Sequence, residues 1–149
     1  MTLKIIDRPA ITVVGLHIRT KPMSPDIPSL WPKFVARIDE IANPAEPKVS
    51  YGVMKYDAGS LDYTAAVSVK SADRIPAGMV VTPLPGGTYA FFTYPLSGLA
   101  RGFAEINEQL LPASNYAPVQ APFFERYNEA FDPRNPGSLV EIWIPVRAR

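Results

Sequence analysis

One order of elements, a strand, a helix and then two strands, can be read twice along this chain, and it restricts the fold more than any other feature. Residues 11–19, Ile-Thr-Val-Val-Gly-Leu-His-Ile-Arg, form a β-branched run that ends at the proline-rich segment 21–28. Residues 30–41 then place Trp31, Phe34, Val35, Ile38 and Ile41 on one helical face, with Ser29 as the expected N-cap and Pro32 in the first turn. Strands over 50–56 and 62–70 follow, joined through Asp57-Ala58-Gly59-Ser60. In the second half, strands are predicted over 79–84 and 88–94, and Pro85-Gly86-Gly87 between them reads as a hairpin turn. Residues 98–111 predict a helix with Leu99, Phe103, Ile106 and Leu110 on one face, stopped by Pro112. Strands over 123–127 and 139–146 close the half around the turn-rich segment 132–137.

Local parallels support the repeat. Arg8-Pro9-Ala10-Ile11-Thr12-Val13 has a counterpart in Leu84-Pro85-Gly86-Gly87-Thr88-Tyr89, and the helix residues Phe34 and Phe103 correspond. The expected fold is α+β: a single domain over 1–149 made of two βαββ units, about 1–72 and 78–149, related by a pseudo-two-fold. Its antiparallel sheet carries two helices on one face and leaves the other free, with a ligand groove along the seam of the halves.

Composition removes several function classes. Formal net charge is +1, from 15 Lys+Arg against 14 Asp+Glu, and no basic stripe is visible, so direct nucleic-acid binding lacks its electrostatic footprint. With no cysteine and one histidine, His17, there is neither a thiol nucleophile, a metal-ligand set nor a serine triad; no metal and no cofactor are expected. Pro85-Gly86-Gly87-Thr88 lacks the lysine and the following helix of a phosphate loop. Charges inside the apolar N-terminal stretch argue against a signal peptide, and prolines and glycines interrupt the longest uncharged stretch, 75–100, so no membrane association is expected and the cytoplasm is the default compartment. The 17 prolines punctuate an ordered chain with turns.

Binding chemistry concentrates in the last strand. Alternation puts Val140, Ile142, Ile144 and Val146 on one face, suited to packing under helices, and Leu139, Glu141, Trp143 and Pro145 on the other. A carboxylate two residues from an indole suits a flat, apolar cation. The competing reading is a wet face on which Glu141 is solvated or pairs with Arg126 or Arg147. The strands also carry many aromatic side chains, and alternation sets Tyr89 and Phe91 together, away from Phe92 and Tyr94. Strand geometry nominates Tyr51, Tyr89, Phe91 and Tyr127 as companions of Glu141 and Trp143 in a pocket.

The closing Glu141-Ile142-Trp143-Ile144-Pro145-Val146, the Tyr51-Gly52 strand start, the central Leu84-Pro85-Gly86-Gly87-Thr88-Tyr89-Ala90 segment and the helix over 99–110 together resemble the GyrI-like effector-binding domains of multidrug and AraC-type regulators. The resemblance spans 3–146. It implies a duplicated βαββ fold with a central groove, and for Glu141 the role of acidic floor in an aromatic pocket, with Trp143 at the motif's aromatic position. The expected function is binding of a small hydrophobic, cationic molecule. The resemblance also admits a hydrolase of reactive cyclopropane-type genotoxins, in which Glu141 would be the catalytic residue activating water, and a protein-interaction role such as gyrase modulation with an unidentified protein partner. The regulators fuse such a domain to a helix-turn-helix region, and none is legible here.

Overall fold

A computed structural model describes residues 3–149; the first two residues of the predicted first unit, and of the segment judged against a signal peptide, lie outside the described residues. The strands are β1 (Lys4–Arg8), β2 (Ile11–Thr20), β3 (Ser50–Asp57), β4 (Ser60–Val69), β5 (Val80–Leu84), β6 (Gly87–Pro95), β7 (Tyr116–Pro118), β8 (Phe123–Tyr127) and β9 (Leu139–Ala148), with helices α1 (Asp26–Val35) and α2 (Leu99–Glu105). A π-helical turn, Ile106–Leu110, continues α2 up to Leu111-Pro112. Ala58 and Gly59 both take left-handed φ, 49° and 86°, which gives the two-residue β3–β4 hairpin the twist its strands need.

α1 begins earlier than its periodicity suggests. Pro25 is the cap residue, and Ser29 lies inside the helix with its hydroxyl donating to the Pro25 carbonyl at 2.9 Å. Pro28 falls in the first turn, where a missing N–H costs nothing, whereas Pro32 sits mid-helix and removes one intrahelical bond. The helix stops at Val35, and 38–40 is a separate 3-10 turn.

The sheet runs β1-β6-β9-β8-β3-β4-β2-β5, all antiparallel, with β7 paired to β9 outside this path. The order reads the same from either edge when β1 matches β5, β2 matches β6, β3 matches β8 and β4 matches β9. The ladders fix the axis: with Val13 matched to Tyr89, Ala66 falls on Trp143 and Tyr51 on Phe124, so the pseudo-two-fold passes through the Gly52–Glu125 pair. Each βαββ unit thus has an extra leading strand, and that strand is exchanged: β1 joins the second half and β5 the first. The Pro85-Gly86-Gly87 segment is therefore no hairpin turn. β5 pairs with β2 and β6 with β1, and the segment carries the chain between distant strands.

The exchange forces the sheet to curl. β1 and β2 are six places apart in the order, about 29 Å in a flat sheet. Arg8 to Ile11 covers only three Cα steps, at most about 11 Å. Leu84 to Gly87 spans the same interval from the other side. The two connections cross in contact: a Cβ on Gly86 would lie 2.8 Å from the Ala10 nitrogen and 3.2 Å from the Arg8 carbonyl.

Both helices lie on the outer face. Leu30 and Phe34 of α1 pack on Val14, Ala65 and Val67, while Ile106 and Leu111 pack on Ala90, Phe92, Ile142 and Ile144. The inner face, expected to be free, is closed by the curl around a third core of Val13, Tyr51, Val53, Ala66, Leu84, Tyr89, Phe124 and Trp143. Among the described residues, no helix is long and apolar enough to cross a membrane.

Candidate functional site

Glu141 and Trp143 do project together, into the inner face, and the indole Nε1–H donates to the Glu141 carboxylate at 2.9 Å. That carboxylate is only 12% exposed and is already partnered: Arg126 Nη1 lies 3.1 Å away, and the Asn128 amide donates at 3.2 Å. Arg126 also holds Glu46 at 2.9 Å and donates to the Tyr51 hydroxyl, which in turn donates to Glu46 at 2.7 Å. Burial pushes the Glu46 carboxyl up, but hydrogen bonds from Arg126, Ser68 and Tyr51 outweigh it and leave it below its usual range. Arg8 covers the aromatic rings, its guanidinium carbon 4.5 Å from the Trp143 centroid and 5.1 Å from that of Phe124. Phe91 packs on Trp143 at 4.6 Å, and the Tyr89 hydroxyl donates to the Pro85 carbonyl. Five of the six nominated residues, Glu141, Trp143, Tyr51, Tyr89 and Phe91, are thus gathered on the inner face, where Arg8 and Arg126 stand against Glu46 and Glu141.

Tyr127 is on the outer face, and it leads to a second acid. Alternation along β8 turns Phe123, Glu125 and Tyr127 outward, between the two helices. Glu125 is 7% exposed. Its Oε1 accepts from the Tyr127 hydroxyl at 2.6 Å and from the Tyr63 hydroxyl at 3.2 Å, while the Trp31 indole donates to Tyr63 at 3.0 Å. No lysine or arginine among the described residues forms an ion pair with it. Burial raises the Glu125 carboxyl above its usual range, with the two tyrosine hydroxyls pulling the other way. Burial, followed by the nearby carboxylate, likewise drives both tyrosine hydroxyls well up, so they remain protonated donors. Oε2 accepts no hydrogen bond among the described residues, and since no sealed side-chain polar atom there lacks a partner, Oε2 keeps an opening to solvent. Gly52 makes the room: a Cβ there would fall 2.8 Å from Glu125 Oε1 and would meet the Tyr63 hydroxyl.

A groove of about 430 Å³ lies against this cluster, walled by Trp31, Tyr127, Phe131, Val35 and Leu96, with Lys48 also lining it. Trp31 and Tyr127 meet edge to face at 5.3 Å, and Tyr127 and Phe131 at 4.7 Å, so the wall is aromatic. A groove of about 250 Å³ lined by Phe103, Phe123, Tyr56 and Lys55 lies on the other side of the axis. The two are mates, since Ser50 and Asn128 of the first match Phe123 and Lys55 of the second in the β3–β8 register. Among the described residues, no group of three or more His, Cys, Asp or Glu could hold a metal ion.

Sequence reasoning missed Glu125, although Phe123-x-Glu125-x-Tyr127 carries the acid-beside-aromatic pattern that singled out Glu141. A second signal was Gly52 within a strand, which marks a close approach of another group.

Residues 1–147 match a family model described as "GyrI-like small molecule binding domain". The transcriptional regulator BrlR of Pseudomonas aeruginosa is 33% identical over 150 residues, which cover 98% of this chain and 56% of the regulator. The chain therefore spans little more than half the length of that curated relative. Among solved structures, SAV2435 bound to tetraphenylphosphonium has a TM-score of 0.79 at 20% identity, covering 99% of this chain and 94% of that one. The C-terminal domain of EcmrR has a TM-score of 0.74 at 14% identity, with 99% and 98% covered. A hydrolase from Listeria innocua has a TM-score of 0.60 at 12% identity, with 97% and 91% covered.

Proposed function

We infer that this chain, which belongs to the GyrI-like small molecule binding domain family, acts over 1–149 as one ligand-binding unit in the cytoplasm that holds a hydrophobic, cationic molecule in the groove beside Glu125. The observation that carries the reading is a buried carboxylate with no cationic partner, held by Tyr63 and Tyr127 behind an aromatic wall. A ligand cation near Oε2 would supply the missing countercharge, and its rings would stack on Trp31, Tyr127 and Phe131. The tetraphenylphosphonium named with SAV2435 is a molecule of this chemical kind, in a protein of the same fold. Glu141 is a weaker choice of anchor, because Arg126 already neutralises it. Contact with nucleic acid is no part of the proposal: the chain's net charge is +1.

Titration with tetraphenylphosphonium, followed by calorimetry or tryptophan fluorescence, tests this. Glu125→Gln should weaken binding about tenfold or more, equal to roughly 1.4 kcal/mol of lost charge pairing, and Glu141→Gln by far less. Binding by the wild type should tighten as pH rises through the raised Glu125 value, with a proton released on binding. Equal affinities in wild type and Glu125→Gln would sink the assignment.

A second reading has one observation of its own. A carboxyl raised by burial and bonded to two tyrosine hydroxyls is also the arrangement of a general base that activates water. Turnover of an electrophilic cyclopropane substrate, lost in Glu125→Gln while binding persists, would favour that hydrolase.

A further inference from the structure

The aromatic groove has one charged lining residue, and it has the sign opposite to that of the acid behind the wall. Lys48 forms no ion pair among the described residues, and it stands on the exposed segment just before β3. Glu125 lies behind the lining, where it accepts from Tyr127 and from Tyr63, to which Trp31 donates. A simple lipophilic cation would satisfy the acid and leave its outer end near Lys48, whose charge repels it. The lysine is no part of the repeated plan, because the matching position in the other groove is Ala121.

We propose that the groove selects zwitterionic aromatic amphiphiles: the cationic end faces Glu125, the rings fill the aromatic wall, and an acidic group at the mouth pairs with Lys48, which determines specificity. This rests on the Glu125 reading given above. The volume of about 430 Å³ suits a body of a few fused or linked rings, so the two charges of such a ligand can reach the two ends.

Rhodamine 110 and its methyl ester, rhodamine 123, share one cationic ring system and differ only in whether a carboxylate is free. Wild type should bind the free acid more tightly by roughly fivefold, the upper range for an exposed ion pair. Lys48→Gln should erase that preference and Lys48→Glu should reverse it in favour of the ester. Lys55→Gln, in the mate groove, should leave the ratio unchanged. Added salt should shrink the acid-to-ester ratio, because the mouth is screened. An unchanged ratio in Lys48→Gln overturns the selectivity, as does a wild type that binds neither dye. If Glu125→Gln weakens both dyes yet the ratio ignores Lys48, the selectivity fails and the Glu125 site stands. If Glu125→Gln weakens neither, the site itself fails.

Discussion

Glu125→Gln should make the protein more stable, increasingly so as the pH rises. In the fold the carboxyl is buried and has no cation beside it, and its Oε1 accepts from Tyr63 and Tyr127. Removing an ion from water costs several kcal/mol, and each hydrogen bond to a charged acceptor returns about 1.5–3 kcal/mol. Because the carboxyl is raised overall, burial exceeds what the hydroxyls return. A glutamine keeps an oxygen for both hydroxyls and turns its amide toward the solvent opening at Oε2, so only the charge is lost. The surplus is of the order of 1–2 kcal/mol at pH 8, or roughly 3–6 °C in Tm for a chain of this size.

The pH dependence carries the discrimination. A carboxyl raised in the folded state has its stability contribution fully in place below the unfolded value of about 4.3, and loses it as pH climbs through the folded value. Wild type and Glu125→Gln should therefore melt nearly together at pH 4, diverge as the pH rises, and keep a constant gap above the folded value. Differential scanning calorimetry at unit steps from pH 4 to 8 reads this directly. Other carboxylates cancel in the difference, since Glu46 and Glu141 are on the opposite face of the sheet. Parallel curves, or a less stable glutamine variant at pH 8, would refute the picture of a strained, unpaired acid. Stability gained while binding is lost is the pattern expected where a fold carries a charge for its ligand.

Arg126→Met leaves Glu46 and Glu141 without their shared cation and should cost about 3–5 kcal/mol in urea melts at pH 7. Glu46 is held below its usual range, so its share of that cost is present above about pH 4.3 and fades as pH falls through the folded value; the variant should lose less stability on acidification than wild type. Gly86→Val would drive a side chain into the backbone of the crossing connection and should lower stability by about 1–3 kcal/mol, measured as a fall in Tm.

The duplicated order of elements was legible because hydrophobic periodicity and turn residues are local signals, and Ile142, Ile144 and Val146 do share the core of Ile106 and Leu111, with Val140 buried as well. The exchange of β1 and β5 was not, because it depends on pairing between residues far apart in sequence, such as Asp7 with Thr88, and a proline–glycine connection looks the same whether or not its strands pair. The curl follows from that exchange, so a face expected to be open became a core. Alternation correctly joined Glu141 to Trp143, yet it could not show that Arg126, on the neighbouring strand, faces the acid across the register. The same rule applied to β8 would have separated Glu125 and Tyr127 from Arg126, and so separated the unpaired acid from the paired one.

Glu125 sits on the pseudo-two-fold opposite Gly52 and accepts hydrogen bonds from tyrosines of both halves. On a perfect axis both copies would carry the same residue, and Gly52 and Glu125 face each other there. Two glutamates would set two carboxylates side by side and force one to stay protonated. Two glycines would leave an empty seam with no charge. One glycine and one glutamate give a single carboxylate with the space to lie across the seam, against Tyr63 from the first half and Tyr127 from the second. Duplication thus supplies the curled frame and a groove on each side, and the divergence of one axial pair supplies the charge. The grooves then differ by what lines them: Trp31 and Lys48 on one side, where the other has no indole, has Ala121 at the position matching Lys48, and carries its lysine as Lys55. Each groove has one lysine in its lining, so a ligand that distinguishes the two sides must read the indole bonded into the Glu125 cluster and the place of the lysine, not its charge alone.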